Sequence, residues 1–372
     1  MDWGTGWVEL AGELTEVQFF VMRMNYSRKL FVMAFPTQRQ EAFFEAHVQA
    51  FAFFGGVPKR ITYDNLTTAV KRIVKEGGRE EQQRFIALRS HYLFASRFCT
   101  PGQGNEKGRV EDGVGYVQRQ FLVPMLKVAT FAELNAHLRA ACQADDARRI
   151  DRQPHTIAEA WAEEARLLRP LPAHPFDSAL VREATLNGYS QVTFETNRYS
   201  VPTDKARKHL TLKAYPFHIE ILAEGEVIAR HERSYARKQD ILDPLHYLPL
   251  LAQRPGAFDH AQPLHAWRQA WPEAYEQLLE KLKAQHGAAR GVKAFIQVLQ
   301  LHQHHAALLV AQAVTQALAE GVPHYEGVRY CLNRLLEPPP PPQQMAQPPE
   351  GTVDIPIPAP TRYDALLPGG TA

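Results

Sequence analysis

At 372 residues with 45% hydrophobic content, the chain can form two or three domains with cores of their own, and it contains no apolar run long enough to span a membrane. A net charge of +2 excludes a uniformly basic coat, so any contact with a polyanion has to come from local patches. Cys99, Cys142 and Cys331 are odd in number and lack C-x-x-C spacing, which excludes a disulfide framework and a structural zinc site; with no secretory signal pattern at the start, the expected location is cytoplasmic.

In chain order, three strands are predicted first, over Trp7–Leu10, Glu16–Met24 and Lys29–Phe35. Their β-branched and aromatic content suggests an antiparallel meander. Gln38–Phe54 reads as a helix with Phe43, Phe44, His47, Val48, Phe51 and Phe54 along one side, stopped by Gly55-Gly56. Lys59–Asp64 is a short strand, and helices are expected over Thr68–Lys75 and Glu80–His91, followed by a strand over Tyr92–Cys99. Pro101 to Asn105 is a breaker-rich loop that opens into a helix reaching about Phe121, and Phe131–Cys142 is amphipathic. Beyond the prolines at 170, 172 and 175 the texture changes to five short strands, over Ser190–Phe194, Arg198–Val201, His209–Tyr215, His218–Leu222 and Val227–His231, which suits a small barrel. Pro263–Gln285 and Gly287–Ala319 read as helices, and Pro338–Pro349 as a proline-rich disordered stretch. The expected organisation is an α/β core over 1–145, a helical and proline-rich connector over 146–185, a small all-β barrel over 186–240, C-terminal helices over 241–337 and a tail over 338–372.

Three acids are the candidate site. Glu111 falls near a helix start, Asp64 at the end of a strand, where α/β folds place their chemistry, and Asp2 at the chain start. Two of them also have a structural reading: Glu111 as an acid favoured by the helix dipole, Asp64 as a helix cap. If the three converge, their repulsion, roughly 1 kcal/mol per pair at 4 Å in water and about 4 kcal/mol at a protein-like dielectric, has to be offset. Carboxylate oxygens suit Mg²⁺ or Mn²⁺, and two such ions would polarise a nucleophile and steady a leaving oxygen in displacement at phosphorus. Lys107, Arg109, Gln118 and Arg119 flank Glu111 as candidate DNA contacts. A second basic region contains Lys205, Arg207, Lys208, His209 and Lys213, followed by Arg230, His231, Arg233, Arg237 and Lys238; a solvated face is the competing reading. His302, His304 and His305 are spaced so that a helix splits them across faces, which argues against a metal site.

The order three strands, helix, strand, helix, strand, helix is that of the ribonuclease H-like mixed sheet. Several motifs carry a more specific likeness: Asp2-Trp-Gly-Thr5 with Val8-Glu-Leu10, Tyr26-Ser-Arg28, Phe53-Phe-Gly-Gly-Val-Pro58, Ile61-Thr-Tyr-Asp-Asn-Leu66, Glu106-Lys-Gly-Arg-Val-Glu111, and Tyr199-Ser-Val-Pro202. Together these resemble an IstA-type transposase of the insertion-sequence-21 family, within the DDE transposase and retroviral integrase superfamily. The resemblance implies Asp2, Asp64 and Glu111 as catalytic and metal-holding residues, with 61 and 46 residues between them, and two Mg²⁺ or Mn²⁺ ions. It also implies cleavage and joining of DNA, an IstB-type AAA+ ATPase partner and a homo-oligomer on the element ends. Glu106 is a rival for the third acid, but it precedes the Lys-Gly-Arg-Val segment that the family's acid follows. Family members carry helix-turn-helix modules ahead of the first Asp, whereas this chain starts one residue before Asp2. The expectation is a truncated copy, a fragment or a misassigned start, with Asp2 loosely held and weak or lost recognition of element ends. Two alternatives stay open: a nuclease of the same fold that cuts without joining, and an inactive DNA-binding or assembly remnant.

Overall fold

The computed structural model describes residues 1–63, 70–73, 79–98, 113–149, 154–207 and 209–337, and its contacts divide the chain into two units, Met1–Trp271 and Pro272–Ala372. The first unit opens with β1 (Asp2–Leu10), β2 (Glu13–Arg23) and β3 (Leu30–Phe35), an antiparallel meander as the sequence indicates. Ala11 and Gly12, both at positive φ, form a two-residue turn whose twist matches that of the flanking strands. β1 begins five residues earlier than its apolar content suggests. Gly4 and Gly6 look like breakers, yet here they are strand residues because a side chain would not fit: an added Cβ would lie 2.4 Å from the Phe19 ring at Gly4 and 2.5 Å from Leu122 at Gly6.

Next come α1 (Gln40–Phe54), ended by Gly55 at φ 67, then β4 (Arg60–Tyr63), β5 (Val70–Ile73), β6 (Arg79–Glu81), α2 (Gln83–Tyr92) and β7 (Ala95–Phe98). The helix expected over Thr68–Lys75 is not present at 70–73: β5 and β6 pair as an antiparallel hairpin, in keeping with β-branched residues at both ends of β5. β4 and β7 are parallel, with Tyr63 opposite Phe98. Residues 113–120 form α3, followed by β8 (Lys127–Val128), which pairs in parallel with the end of β1, and α4 (Phe131–Ala144). The first sheet thus has the order β3-β2-β1-β8.

Both faces of this sheet are buried, which explains the nearly continuous apolar run of β2. Phe20 and Met22 face the cluster built on Phe43, Phe44 and Phe51 of α1, while Phe19 and Val21 face Val117, Leu134 and Leu138 of α3 and α4. α5 (Ile157–Glu164) begins with a capping box in which Thr156 and Glu159 each bond the other's backbone N–H.

The β-rich region comprises β9 (Leu180–Thr185), β10 (Gln191–Phe194), β11 (Asn197–Ser200), β12 (His209–Ala214), β13 (His218–Ala223), β14 (Glu226–Glu232) and β15 (Asp240–Ile241). Two sheets, β14-β13-β12-β9 and β10-β11-β15, enclose a core of Val192, Tyr199, Leu210, Leu212, Ile219 and Ile221. The two strands that the sequence pattern did not reveal, β9 and β15, are edge strands, and β9 is mostly exposed. This region docks on the α/β core within the same unit: Phe217 stacks on Phe35 at 5.5 Å, and Arg233 bonds Glu41 of α1 at 2.8 Å. α6 (Leu248–Gln253) and α7 (Gln262–Ala270) complete the unit.

The second unit consists of α8 (Glu273–His286), α9 (Ala288–Gln300), α10 (Ala307–Ala319) and α11 (Tyr325–Leu336). The two long helices expected from the sequence are each divided, the first at Pro272, which lacks an N–H and starts α8, the second between α9 and α10. Gly291 lets α9 lie directly on α8, since a Cβ there would come within 2.6 Å of the Leu282 backbone. His302, in the 3-10 turn that follows α9, is hydrogen-bonded with the Tyr275 hydroxyl at 2.9 Å.

Candidate active-site cleft

Asp2 opens β1 opposite Val21 of β2. One of its carboxylate oxygens accepts from the Trp3 backbone N–H at 2.8 Å, and the Trp3 ring sits edge-on to Phe20 and Phe35 at 5.5 and 5.8 Å. On its other side the Met1 amino group donates to the Thr62 carbonyl at 2.8 Å, which brings the start of β1 beside the end of β4. Asp2 is thus paired in the ladder with Val21, and the residue before it is bonded to Thr62. Asp64 and Glu111, with Lys107, Arg109 and Lys208, lie outside the described residues.

A cleft of about 720 Å³ opens at this point, lined by Asp2, Thr62 and Gly113 among others. Thr62 stands two residues before Asp64, and Gly113 two residues after Glu111. Among the described residues the same cleft is lined by five basic residues, Arg23, Arg28, Lys59, Arg60 and Arg97, and by the acids Asp2 and Glu164. These five are scattered along the chain and form no run; Arg28, in the Tyr26-Ser-Arg28 turn, is the one that a sequence motif marks. That turn is pinned by α5: Tyr26 Oη donates to Glu163 at 2.8 Å and the Ser27 N–H to Glu164 at 2.8 Å, with Arg28 itself at φ 64.

Deeper in the core, His47 of α1 is fully buried, with Nδ1 2.7 Å from the Phe43 carbonyl and Nε2 3.0 Å from the Tyr63 hydroxyl. Burial pushes its pKa down to about 3, so the ring is neutral.

Of the other predicted contacts, Gln118 donates through its side-chain amide to the Thr5 carbonyl of β1 at 2.9 Å, and Arg119 is exposed beside it. Lys205 and Arg207 are exposed on the β-rich region. The wider basic stretch around them does not form one surface. His231 and Arg233 are buried, and Lys213 pairs with Asp177 at 2.8 Å, because the strand alternation turns these side chains toward the core or toward acids. Among the described residues no cluster of His, Cys, Asp and Glu is arranged to hold a metal, and none of their helices is long and apolar enough to cross a membrane.

Comparison with known proteins agrees with this architecture. Residues 1–103 match the integrase core domain, and residues 171–243 match the C-terminal domain of Mu transposase. A transposase of Aminobacter aminovorans is 33% identical over 342 residues, covering 90% of this chain and 66% of its own length. The transposase for insertion sequences IS1326/IS1353 of Pseudomonas aeruginosa is 33% identical over 361 residues, covering 95% of this chain and 68% of its own. The transposase for insertion sequence element IS21 of the same species is 30% identical over 256 residues, covering 68% of this chain and 65% of its own. The chain therefore spans about two thirds of the length of these curated relatives. With an integrase core, the β-rich domain that follows it and relatives of this kind, the chain belongs to the IS21-type DDE transposases, polynucleotidyl transferases with a ribonuclease H-like core.

Proposed function

We propose that this chain cuts and joins DNA strands of an insertion sequence at the cleft beside Asp2, with Asp2, Asp64 and Glu111 as the catalytic and metal-holding residues. The observation that supports the reading is that Asp2, Thr62 and Gly113 line one cleft, Thr62 standing two residues before Asp64 in the sequence and Gly113 two residues after Glu111. Three carboxylates are hard oxygen donors, and the partly exposed Asp2 at the cleft wall fits a divalent cation that keeps some of its waters. Two Mg²⁺ or Mn²⁺ ions bound there would supply charge to the attacking and leaving oxygens of an in-line displacement at phosphorus.

The protein's own part is to hold and orient. The five cationic side chains of the cleft neutralise DNA phosphates and bring the scissile bond to the acids. The Glu163 and Glu164 contacts keep the turn bearing Arg28 in place at its rim. Lys205 and Arg207 of the β-rich region are exposed for further phosphate contacts, as are Gln118 and Arg119 on α3, with Lys107, Arg109 and Lys208 completing the proposed set. The resemblance adds an IstB-type ATPase and assembly into a homo-oligomer on the element ends. A protein that acts on chromosomal DNA works in the bacterial cytoplasm, at the nucleoid when bound.

The test is a nicking and strand-transfer assay on terminal-repeat DNA with Mg²⁺. Asp2→Asn, Asp64→Asn and Glu111→Gln should each abolish both products while DNA binding persists. Wild-type activity in any one of the three would remove that acid from the site. Nicking without transfer of a pre-cut end would reduce the activity to that of a nuclease.

A further inference from the structure

The turn that joins β9 to β10 holds its backbone with several hydrogen bonds and puts an aromatic ring into water. Asn187 Oδ1 accepts from the backbone N–H groups of Tyr189 and Gln191 at 2.9 and 3.0 Å, and the Asn187 N–H donates to the Gln191 carbonyl at 2.9 Å. Ser190 takes up φ 55, and its carbonyl accepts from the Val201 N–H at 2.8 Å. Tyr189 at the tip is 77% exposed, more than any other large apolar side chain among the described residues. A tyrosine has two torsions to fix, and on a backbone already held in place it loses little freedom when something covers it.

The same turn is tied at both ends to the loop between β11 and β12. Val201, which bonds the Ser190 carbonyl, opens that loop, and His209, which closes it, pairs with Thr185 at the end of β9. Thr203 anchors the loop's start, donating through its N–H and its hydroxyl to the His246 carbonyl, each at 3.0 Å. Between these anchors stand Lys205 and Arg207, both exposed, with Asp204 as the acid beside them. On neighbouring strands Lys213 is paired with Asp177 and Arg198 with Asp240, whereas among the described residues no ion pair engages Lys205 or Arg207.

A duplex covers the faces of its bases by stacking them on one another, so it meets a protein surface mainly through its phosphates. An unpaired base has a bare face, which an aromatic ring covers whatever the base is, while cations beside the ring hold the flanking phosphates. Cutting a DNA strand releases an end from which bases can leave the stack. We propose that the turn at 187–190 is a stacking platform for an unpaired DNA base, with Tyr189 against the base and Lys205 and Arg207 on the adjoining phosphates. The inference deepens the reading of Lys205 and Arg207 as DNA contacts and rests on it.

The test is binding of the full chain to a blunt DNA duplex and to the same duplex carrying a short single-stranded tail that contains 2-aminopurine. The wild type should prefer the tailed duplex and quench the 2-aminopurine fluorescence, as a base stacked on a ring does. Tyr189→Ala should weaken binding of the tailed duplex about tenfold relative to the blunt one and lose the quench. Tyr189→Phe, which keeps the ring, should retain both, and Tyr189→Leu, which is apolar without a π face, should fail as alanine does. An unchanged urea midpoint in these variants excludes unfolding as the cause. Wild-type affinity and quench in Tyr189→Ala overturn the proposal, and so does a loss that is equal on the two duplexes. Lys205→Ala and Arg207→Ala separate the two levels of the argument, since each should weaken both duplexes and flatten the salt dependence of binding. If they do so while Tyr189→Ala binds as the wild type does, only the stacking role falls. If they leave affinity and salt dependence untouched, the reading of this loop as a DNA contact falls and takes the platform with it.

Discussion

Arg233 and Glu41 form an ion pair at 2.8 Å with side chains 0% and 3% exposed, joining the end of the β-rich region to the first turn of α1. A second acid, Glu195, lies 3.5 Å from the same guanidinium, whose plane also rests over Tyr235 at 4.7 Å. Removing one partner of a buried pair leaves the other charged in a poor solvent, which costs about 3–5 kcal/mol, more than the pair itself contributes. Arg233→Met should therefore destabilise the first unit by about that amount in urea unfolding, and Glu41→Gln added to it should recover a substantial part. An Arg233→Met variant as stable as the wild type would show that the pair is not buried in solution.

Gly4→Ala tests the packing behind the candidate site. The new methyl would sit 2.4 Å from the Phe19 ring and 2.7 Å from Val114, so β1 has to move away from α3 or Phe19 has to leave its rotamer. Overpacking of this kind costs about 1–3 kcal/mol, and a fall in the urea midpoint with an unchanged slope should report it.

In the second unit, Gly291→Ala should have a comparable effect for a different reason. Its Cβ would meet backbone atoms, Lys283 N at 2.5 Å and Leu282 O at 2.6 Å, and backbone cannot rotate aside. The α8–α9 crossing has to widen, at the upper end of about 1–3 kcal/mol. Thermal unfolding should show the loss in the transition assigned to the second unit; no change would mean that these helices are further apart than described.

Acid should weaken the first unit before its carboxylates titrate. Burial holds His47 down at about 3 and His246 at about 4, and it lowers His231 as well. Above pH 6.5 these rings are neutral in both folded and unfolded chains and the stability they influence is constant. As pH falls below 6.5 the unfolded chain takes up protons that the folded one refuses, so stability is lost from there down toward pH 4, by at most about 1.4 kcal/mol per pH unit for each ring. Urea unfolding at pH 7, 6 and 5 should show this decline, and His47→Gln should make it shallower. A flat profile over that range would contradict the burial of these histidines.

How far the fold was legible depended on whether local pattern and tertiary demand agreed. The run Val17–Met22, the aromatic stripe of α1 and the alternation in β12 and β13 were read correctly because burial follows the strand or helix period there. The Trp3–Gly6 part of β1 was missed because its glycines are required by Phe19 and Leu122, residues distant in sequence that no local window contains. β5 was read as helix because four residues cannot distinguish the two periods. The candidate acids rest on motif spacing, and two of them lie outside the described residues, whereas Arg23, Arg28, Lys59, Arg60 and Arg97 gather from four separate segments, of which only the one bearing Arg28 carries a motif that points to it.

The covering of β2 also has an order in time. On a growing chain, α1 follows within a few dozen residues and shields the side bearing Phe20 and Met22, but the helices that shield Phe19 and Val21 are not complete until Ala144 has been made. At about 5–20 residues per second, the ribosome leaves one side of an apolar ribbon bare for several seconds. During synthesis, this half-dressed sheet is where neighbouring nascent chains would stick to one another, and where a chaperone would have most to do.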